Sequence, residues 1–232
     1  MATKAKKKKG QEPIGLDQQL TKAEAFFEKH GKGFIAIVLA IILISVCFWL
    51  FRSCKADKEV EAQNAISLSQ KAFGREQYEE ALNGDKANSK GFLKIIDEYD
   101  GTKTANLAKL YAAICYVKTD KIDDAINLLK DFSPEDDNTI SPLAIEMLGN
   151  CMVAKGDKEG GASKLIEAAK AADNESLSPV FLRQAAIVYE ELGKKDKALD
   201  LYQQIKNDYP QCVYCQGEEN GTMIDTYIEN LK

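Results

Sequence analysis

Histidine is almost absent from this chain: only one of its 232 residues, His30, is a histidine. It precedes a long apolar run, so the second half of the chain has no partner for a Ser–His or Cys–His pair and no histidine ligand for a metal ion. The sequence also lacks the alternating pattern of a β-strand, and no glycine-rich phosphate loop follows a strand. We therefore expect an all-α fold without catalytic residues, a metal site or a cofactor.

Basic residues are scarce relative to acidic ones outside the N-terminal quarter. The whole chain has a net charge of −5. Residues 1–55 hold ten Lys or Arg and four Asp or Glu, a net charge of +6, so the remainder carries −11. Nucleic-acid binding needs clustered cations on a folded surface. The acidic body therefore argues against nucleic acid as a partner, and the contrast in charge indicates two different environments.

Charged residues are missing altogether from residues 34–51, which begin with Phe34 and end with Phe51. Eighteen residues in a helix cover about 27 Å, close to the hydrocarbon thickness of a bilayer. A globular core helix would carry a polar face over this length. A cleaved signal peptide would have a shorter apolar run and small residues near its end, where this chain has Trp49. We interpret the run as an uncleaved transmembrane helix in contact with the lipid bilayer.

Lysine and arginine number eight before this helix, and Arg52, Lys55 and Lys58 follow shortly after it. This bias places the N-terminus in the cytoplasm and the rest of the chain on the other side. We expect a single-pass protein of a bacterial inner membrane whose C-terminal part is periplasmic. The tract from Lys4 to Lys9 also fits a nuclear or RNA-binding signal, but membrane topology accounts for it more simply beside a span.

Four segments are predicted along the chain. Residues 1–15 form a lysine-rich flexible tail. Residues 16–32 form a juxtamembrane amphipathic helix, because Leu16, Leu20, Ala23 and Phe27 recur at helical spacing. The transmembrane helix at 34–51 comes next. Residues 56–232 form a folded domain, whose first helix we expect to run from about 56 to 82.

One pattern occurs three times in this domain. A small residue is followed by a large one at +3, a small one at +12 and a large one at +16, with an Asp or Gly turn at +7. The small positions let two antiparallel helices approach closely, and copies about 36 residues apart are typical of stacked helical hairpins. The three copies are Ala113, Tyr116, Ala125 and Leu129; Gly149, Met152, Gly161 and Leu165; and Ala186, Tyr189, Ala198 and Tyr202.

A fourth, degenerate copy is expected upstream of these three. The segment around Phe92, Ile95 and Tyr99 matches the end of the last copy, around Tyr202 and Ile205. A lengthened connection would precede it. A short helix over about 224–231 would close the stack with a polar cap.

The three copies resemble the tetratricopeptide repeat, and Tyr209-Pro210 stands where that motif often ends in proline. This resemblance implies a tetratricopeptide-type α-solenoid that binds other proteins. The N-terminal part is similar to that of the YfgM-type proteins, which are single-span bacterial proteins with a cytoplasmic N-terminus and a periplasmic tetratricopeptide domain at the Sec translocon. This second resemblance implies partners at the translocon, among envelope chaperones or among emerging secreted chains. The matching N-terminal residues are Ala25-Phe26-Phe27-Glu28, Gly31-Lys32 and Trp49.

The resemblance to tetratricopeptide repeats implies that the binding surface lies on the first helix of each pair. A mixed apolar and acidic surface there suits an extended or helical peptide of basic character, and the plain alternative is a set of solvated helix faces. This predicted groove consists of Leu110, Ile114, Lys118, Glu146, Asn150, Arg183, Ile187, Glu190 and Glu191.

The sequence has six cysteines, of which Cys47 lies in the apolar run and Cys54 just after it. Cys115 and Cys151 occupy equivalent positions in neighbouring copies, about 10 Å apart, so we expect free thiols there. Cys212 and Cys215 form one CxxC pair, and without a second pair or a histidine this is a weak zinc signal. In an oxidising compartment the pair can close a disulfide, which we predict to be structural.

These features predict a membrane-anchored scaffold rather than an enzyme. Its extracytoplasmic domain would bind proteins at the Sec translocon or in periplasmic chaperone networks. A coordinator of envelope assembly or cell division is the alternative within the same class. A thiol–disulfide enzyme that uses Cys212 and Cys215 ranks last, because nothing nearby in the sequence would lower a thiol pKa.

Overall fold

A computed structural model describes residues 16–85, 89–217 and 222–232. The predicted lysine-rich tail, residues 1–15, lies outside the described residues. The chain divides into two compact units, Met1–Cys54 and Lys55–Lys232. Every regular element in the described ranges is a helix, which confirms the all-α class.

The first helix, α1 (Leu16–Gly74), contributes to both units. Its stretch from Ile35 onward is long and apolar enough to cross a membrane by length and composition, two properties that a signal sequence shares. In the first unit the large apolar side chains that the structure describes are exposed, and Leu43, Ile44 and Trp49 are each 66% exposed. Residues 16–32 are helical, but the side chains that would form the predicted amphipathic face lie outside the described ones.

The second unit is a stack of helical hairpins that follows the pattern in the sequence. Three of them, α4–α5, α6–α7 and α8–α9, are the three clear pairs, and their presence confirms the expected repeat architecture. The helices described after α1 are α2 (Tyr78–Asn83), α3 (Gly91–Glu98), α4 (Lys103–Lys118), α5 (Ile122–Lys130), α6 (Ile140–Ala154), α7 (Lys158–Ala172), α8 (Ser178–Glu191), α9 (Lys195–Asp208) and α10 (Met223–Leu231).

The same tight turn joins the two helices of each pair. Its central residue has a positive φ, which is 60° at Asp120, 93° at Gly156 and 71° at Gly193. The next residue donates its N–H to a carbonyl five residues back, as Lys121 does to Tyr116 O at 2.8 Å. This bond is characteristic of a Schellman motif, which satisfies the free carbonyls at a helix end. The turn positions expected from the sequence are therefore where the chain reverses.

The degenerate first pair contains this turn as well. Glu76 has a φ of 61°, and Gln77 N donates to Ala72 O at 3.0 Å. The helix predicted over 56–82 is therefore wrong at its C-terminal end, because α1 stops at Gly74 and the chain reverses before α2. A glutamate in a conformation that favours glycine concealed this turn in the sequence.

Extra residues interrupt the second helix of the first pair. α2 is followed by Gly84 and α3 begins at Gly91, with φ values of 80° and 74°. A Cβ on Gly91 would lie 2.3 Å from Gly84 N, so the two backbones approach too closely for a side chain. The loop between them is closed at its base, and α2 and α3 together take the place of one helix. The expected lengthened connection is thus an excursion within the second helix.

Small residues let the paired helices meet through their backbones. A Cβ on Gly161 of α7 would lie 2.6 Å from Gly149 O and 2.4 Å from Val153 Cγ2 of α6. Real Cβ atoms do not approach other atoms so closely. Leu165, one turn further along α7, is 0% exposed and fills the space beside this contact. The small and large positions of the pattern therefore play the two roles that the sequence assigned to them.

Three apolar clusters follow one another along the stack. The last of them is covered by α10, whose Ile224 and Ile228 are buried. This helix begins with a capping box, in which Thr222 Oγ1 accepts from Asp225 N at 3.2 Å and Asp225 Oδ2 accepts from Thr222 N at 3.4 Å. The closing helix expected over about 224–231 is present.

Replacing Gly193 with alanine should lower the free energy of unfolding by about 1 kcal/mol, because an L-residue is strained at a positive φ. A Cβ at Gly193 would have no atom within 4 Å, so the loss is conformational rather than steric. Urea unfolding of the full chain in mild detergent measures it. Gly74→Ala is the matched control, since its Cβ also meets nothing and its φ is not positive. Equal losses of stability in both variants would contradict the attribution of the loss to the positive φ at Gly193.

Candidate functional site

The first helices of the four pairs form one surface of the second unit, which we call the first-helix surface: α1 from Lys55, then α4, α6 and α8. Side-chain hydrogen bonds link neighbouring first helices, from α1 to α4 through Glu59 and from α6 to α8 through Glu146 and Gln184. The predicted groove residues all belong to α4, α6 and α8, but the structure gives them different environments.

In α4 the predicted groove residues differ in their exposure. Leu110 is 6% exposed, inside the apolar cluster that α4, α5 and α6 share. Ile114 is half-buried against the same cluster, and Lys118 is exposed in the last turn. A partner can therefore reach Lys118 fully and Ile114 in part, whereas Leu110 holds neighbouring pairs together.

In α8, Arg183 is held by the C-terminal segment. Its Cζ lies 5.4 Å from the centre of the Tyr214 ring and 5.2 Å from that of the Tyr227 ring. Its Nε also donates to Tyr227 Oη at 3.2 Å. Ile187, one turn further along α8, is half-buried and belongs to none of the apolar clusters of the described residues. Arg183 thus anchors α10. Ile187 is the predicted groove residue of α8 whose side chain remains accessible to a partner.

The two glutamates at the end of α8 also have partners within the fold. Glu190 accepts a hydrogen bond from Tyr202 Oη at 2.5 Å. Glu191 pairs with Lys158 at 2.7 Å, across to the preceding pair. Both are exposed, so they add negative charge to the surface, but their replacement would also disturb contacts between helices.

Glu146, Asn150 and Gln184 form the polar centre of the first-helix surface. Asn150 is exposed and donates to Glu146 Oε1 at 2.6 Å. Burial raises the pKa of Glu146, against the hydrogen bonds from Gln184 and Asn150 that lower it. Gln184 Oε1 is buried and has no hydrogen-bond partner among the described residues. Sequence reasoning selected Glu146 and Asn150 but missed Gln184, which lies next to Arg183 in the chain.

Glu146→Gln should raise the melting temperature at pH 7 and change it little near pH 4. The folded state binds the proton of Glu146 more tightly than the unfolded chain, whose pKa is near 4.5. The stability from this group is therefore fully present below pH 4.5 and is lost as the pH rises through the folded pKa. Thermal unfolding between pH 4 and 8 measures the effect, with the exposed Glu61→Gln as control. A gain in melting temperature that is independent of pH would contradict this role of the Glu146 carboxylate.

A groove of about 520 Å³ opens where α1 and α4 meet the start of α6. Glu59 of α1 lies at its rim, where the carboxylate accepts from Lys103 N at 2.7 Å and from Thr104 Oγ1 at 2.6 Å. Burial alone would raise the pKa of Glu59, but the hydrogen bonds from Thr104 and Lys103 lower it. We call this recess the N-terminal groove. Its apolar lining is Ile66, Leu107, Phe132 and Ile140, its amides are Gln63, Gln70 and Asn106, and its charged rim is Glu59, Lys103, Glu135 and Asp137.

The sequence did contain a signal for the N-terminal groove. If Glu76 is taken as the +7 turn, the small positions of the first copy are Ser69 and Ala81, and both are 0% exposed. Ile66 and Gln70 then become the counterparts of groove positions in later copies, three residues before and one residue after the first small position. The glutamate turn and the inserted loop hid this register, so no residue of α1 was included in the predicted groove.

The cysteine pair lies beneath the C-terminal cap. Cys212 Sγ and Cys215 Sγ are free thiols 3.1 Å apart, and the disulfide between them stays a prediction. Burial and the hydrogen bond with Cys212 raise the pKa of Cys215 to about 12, which disfavours the thiolate that thiol–disulfide exchange requires. Cys115 and Cys151 are buried free thiols. Within the described ranges, no three His, Cys, Asp or Glu side chains converge to hold a metal ion.

Comparison with known proteins agrees with this geometry. The family profile described as a tetratricopeptide repeat-like domain matches residues 24–211. A solved structure, the crystal structure of MamA protein, is similar with a TM-score of 0.54 and 17% identity, over 76% of this chain and 81% of that one; at this identity the likeness shows the fold alone. No curated protein matches the chain. Because the profile extends from α1 through the three clear pairs, the chain belongs to the tetratricopeptide repeat-like domain family.

Proposed function

We propose that this protein is a membrane-anchored scaffold whose repeat domain binds another protein through the first-helix surface. The observation that carries the proposal is the N-terminal groove, an apolar recess of about 520 Å³ on the first-helix side of a repeat fold. Tetratricopeptide repeats bind protein partners, and an open apolar recess with polar edges is what the side chain of a partner fills.

The anchor in this proposal is the apolar helix over residues 34–51. Its length and composition support a span. The excess of Lys and Arg before it supports a cytoplasmic N-terminus, and hence a periplasmic repeat domain in a bacterial inner membrane. The resemblance to YfgM-type proteins supports partners at the Sec translocon, among envelope chaperones or among emerging secreted chains.

A scaffold fits the chemistry of the thiols better than a CxxC enzyme. An exchange enzyme needs a thiol with a lowered pKa, whereas burial raises that of Cys215 to about 12. The two cysteines therefore suit a structural role near α10. A reductase assay on the full chain should give no turnover above that of the Cys212→Ser variant.

Protease added to spheroplasts tests the anchor and its direction. An epitope placed before Met1 should survive, whereas one placed after Lys232 should be lost. Both epitopes should be found on one product before digestion, because the span is not cleaved. Survival of the C-terminal epitope, or a mature product that begins after Trp49, would contradict the proposal.

Affinity purification in mild detergent tests the binding function. The full chain should enrich a defined set of envelope proteins. The double variant Asn150→Lys and Ile187→Lys, which adds two cations to the first-helix surface, should reduce that enrichment at least tenfold. The matched control is Asn127→Lys and Gln203→Lys, on the exposed faces of α5 and α9. Equal enrichment by both double variants would rule out the first-helix surface as the binding site.

A further inference from the structure

The floor of the N-terminal groove is apolar. Ile66 and Phe132 form its bottom and are 5% and 8% exposed. Leu107 is half-buried and Ile140 is 37% exposed along its sides. Leu107 also lies outside the three apolar clusters of the described residues. Leu107 therefore lacks the apolar neighbours that usually cover a leucine side chain. This favours the binding of a large apolar side chain of a partner against it.

One wall of the groove offers amides to a peptide backbone. Gln63 and Gln70 lie about two turns apart on α1. Gln63 Nε2 donates to Glu59 Oε1 at 3.2 Å, which leaves its oxygen as an acceptor. The side-chain amide of Gln70 has no hydrogen-bond partner among the described residues. A glutamine amide can both donate and accept, so these two residues can bind the N–H and C=O groups of an extended segment.

The rim of the groove is negative. Lys103 Nζ pairs with Glu135 Oε2 at 2.6 Å. The pKa of Lys103 is raised first by Glu135 and further by Glu59 and Asp137, so three carboxylates act on one ammonium group. Each of these acids already accepts hydrogen bonds within the fold, and none of them needs a ligand to complete its geometry. The excess of negative charge nevertheless favours a cation at the mouth of the groove.

We infer that the N-terminal groove recognises an extended segment of a partner protein in which a large apolar side chain is followed directly by lysine or arginine. The apolar side chain enters between Leu107 and Ile140, and the cation stays at the rim near Glu135 and Asp137. This inference rests on the proposed function and names the chemistry of the partner. It places this segment at α1, α4 and the start of α6, so Asn150 and Ile187 would bind other parts of the same partner.

Fluorescence polarisation with three labelled decapeptides tests the inference on the full chain in detergent micelles. The peptides consist of Gly and Ser except for a central Phe–Lys, Phe–Glu or Ala–Lys pair. The Phe–Lys peptide should bind at least tenfold more tightly than either of the others. Its affinity should fall as salt increases, because the rim charges are exposed to solvent.

Two variants separate the apolar and the charged parts of the recognition. Leu107→Asp should weaken binding of the Phe–Lys peptide at least tenfold, whereas Val60→Asp, on the exposed part of α1, should leave it unchanged. Glu135→Gln keeps the size of the side chain and should reduce the preference for Phe–Lys over Phe–Glu severalfold. Urea unfolding of each variant checks that the domain is folded, and Glu135→Gln remains informative if Leu107→Asp is not.

Equal affinity for the Phe–Lys and Phe–Glu peptides, or no binding of the Phe–Lys peptide, would overturn the inference. Either result would leave the proposed function intact if the Asn150 and Ile187 variant still loses its protein partners. Loss of the proposed function would instead appear as unchanged enrichment in that variant. The two failures are therefore distinguishable.

Discussion

Phe92→Ala should lower the free energy of unfolding by about 3–5 kcal/mol, the usual cost of removing a buried ring. Phe92 is 0% exposed. Its ring stacks on Tyr111 with centroids 5.2 Å apart, and it meets Phe73 edge-on at 6.3 Å. These three rings join the first pair to the second. The closed glycine contact at Gly91 prevents the backbone from collapsing into the cavity, so we expect a value near the upper end.

The loss should also be local, because each pair in such a stack contacts only its neighbours. Hydrogen exchange by mass spectrometry should show faster exchange in α3 and α4 and little change in α8 and α9. Phe92→Leu retains most of the apolar volume and should cost less than about 1.5 kcal/mol. Equal losses in the two variants, or faster exchange throughout the domain, would contradict a packing role for the ring in the first pair.

Gly161→Val should cost about 3 kcal/mol, the upper end of the range for overpacking. The added Cβ would lie 2.6 Å from Gly149 O, which is backbone and can move only with the whole of α6. The helices must separate, and this exposes Leu165, which is now 0% exposed. Urea unfolding measures the loss, and increased exchange in α6 and α7 should accompany it.

Gly74→Val is the control for Gly161→Val, because it introduces the same side chain into a helix where the new Cβ meets no atom within 4 Å. It should change the stability by less than about 1 kcal/mol, the size of a helix-propensity effect. If Gly74→Val were as destabilising as Gly161→Val, propensity rather than close packing would explain the loss.

The three regular pairs could be predicted from the sequence because their signal is local. The small residue at +12 and the turn at +7 have to occur at fixed distances if two helices are to touch, and this requirement is visible in the spacing alone. Gly149 and Gly161 meet as expected, as the short Cβ distances show. The long apolar helix was equally predictable, since an uncharged run of this length needs no neighbours to be recognised, and its role as a membrane span stays a prediction.

The first pair could be predicted only in part. Its turn has Glu76 at a φ of 61° instead of glycine or aspartate, and its second helix is broken by the loop between Gly84 and Gly91. Neither feature changes the local hydrophobic pattern, so the turn was missed and α2 was predicted as part of the preceding helix. The strain at Glu76 is tolerated because the packing of both helices determines the turn.

The position of the predicted groove residues on first helices was easier to predict than their exposure. The residues chosen for the groove lie on first helices, but Leu110 is covered by the neighbouring α6 and Arg183 by Tyr214 and Tyr227. Tyr214 and Tyr227 lie beyond the last repeat, where the pattern makes no statement. The N-terminal groove needs side chains of α1, α4 and the segment before α6 at once, and such a combination is visible only in the folded chain.

Site-specific photocrosslinking in living cells tests most directly whether the first-helix surface binds a protein. Benzoylphenylalanine is placed at Leu107 or Gln70 in the N-terminal groove, and at Asn127 or Gln203 on the exposed faces of α5 and α9. Irradiation should give an adduct with the same partner from both groove positions and none from the other two. Adducts from Asn127 and Gln203 alone, or equal adducts from all four positions, would contradict the account.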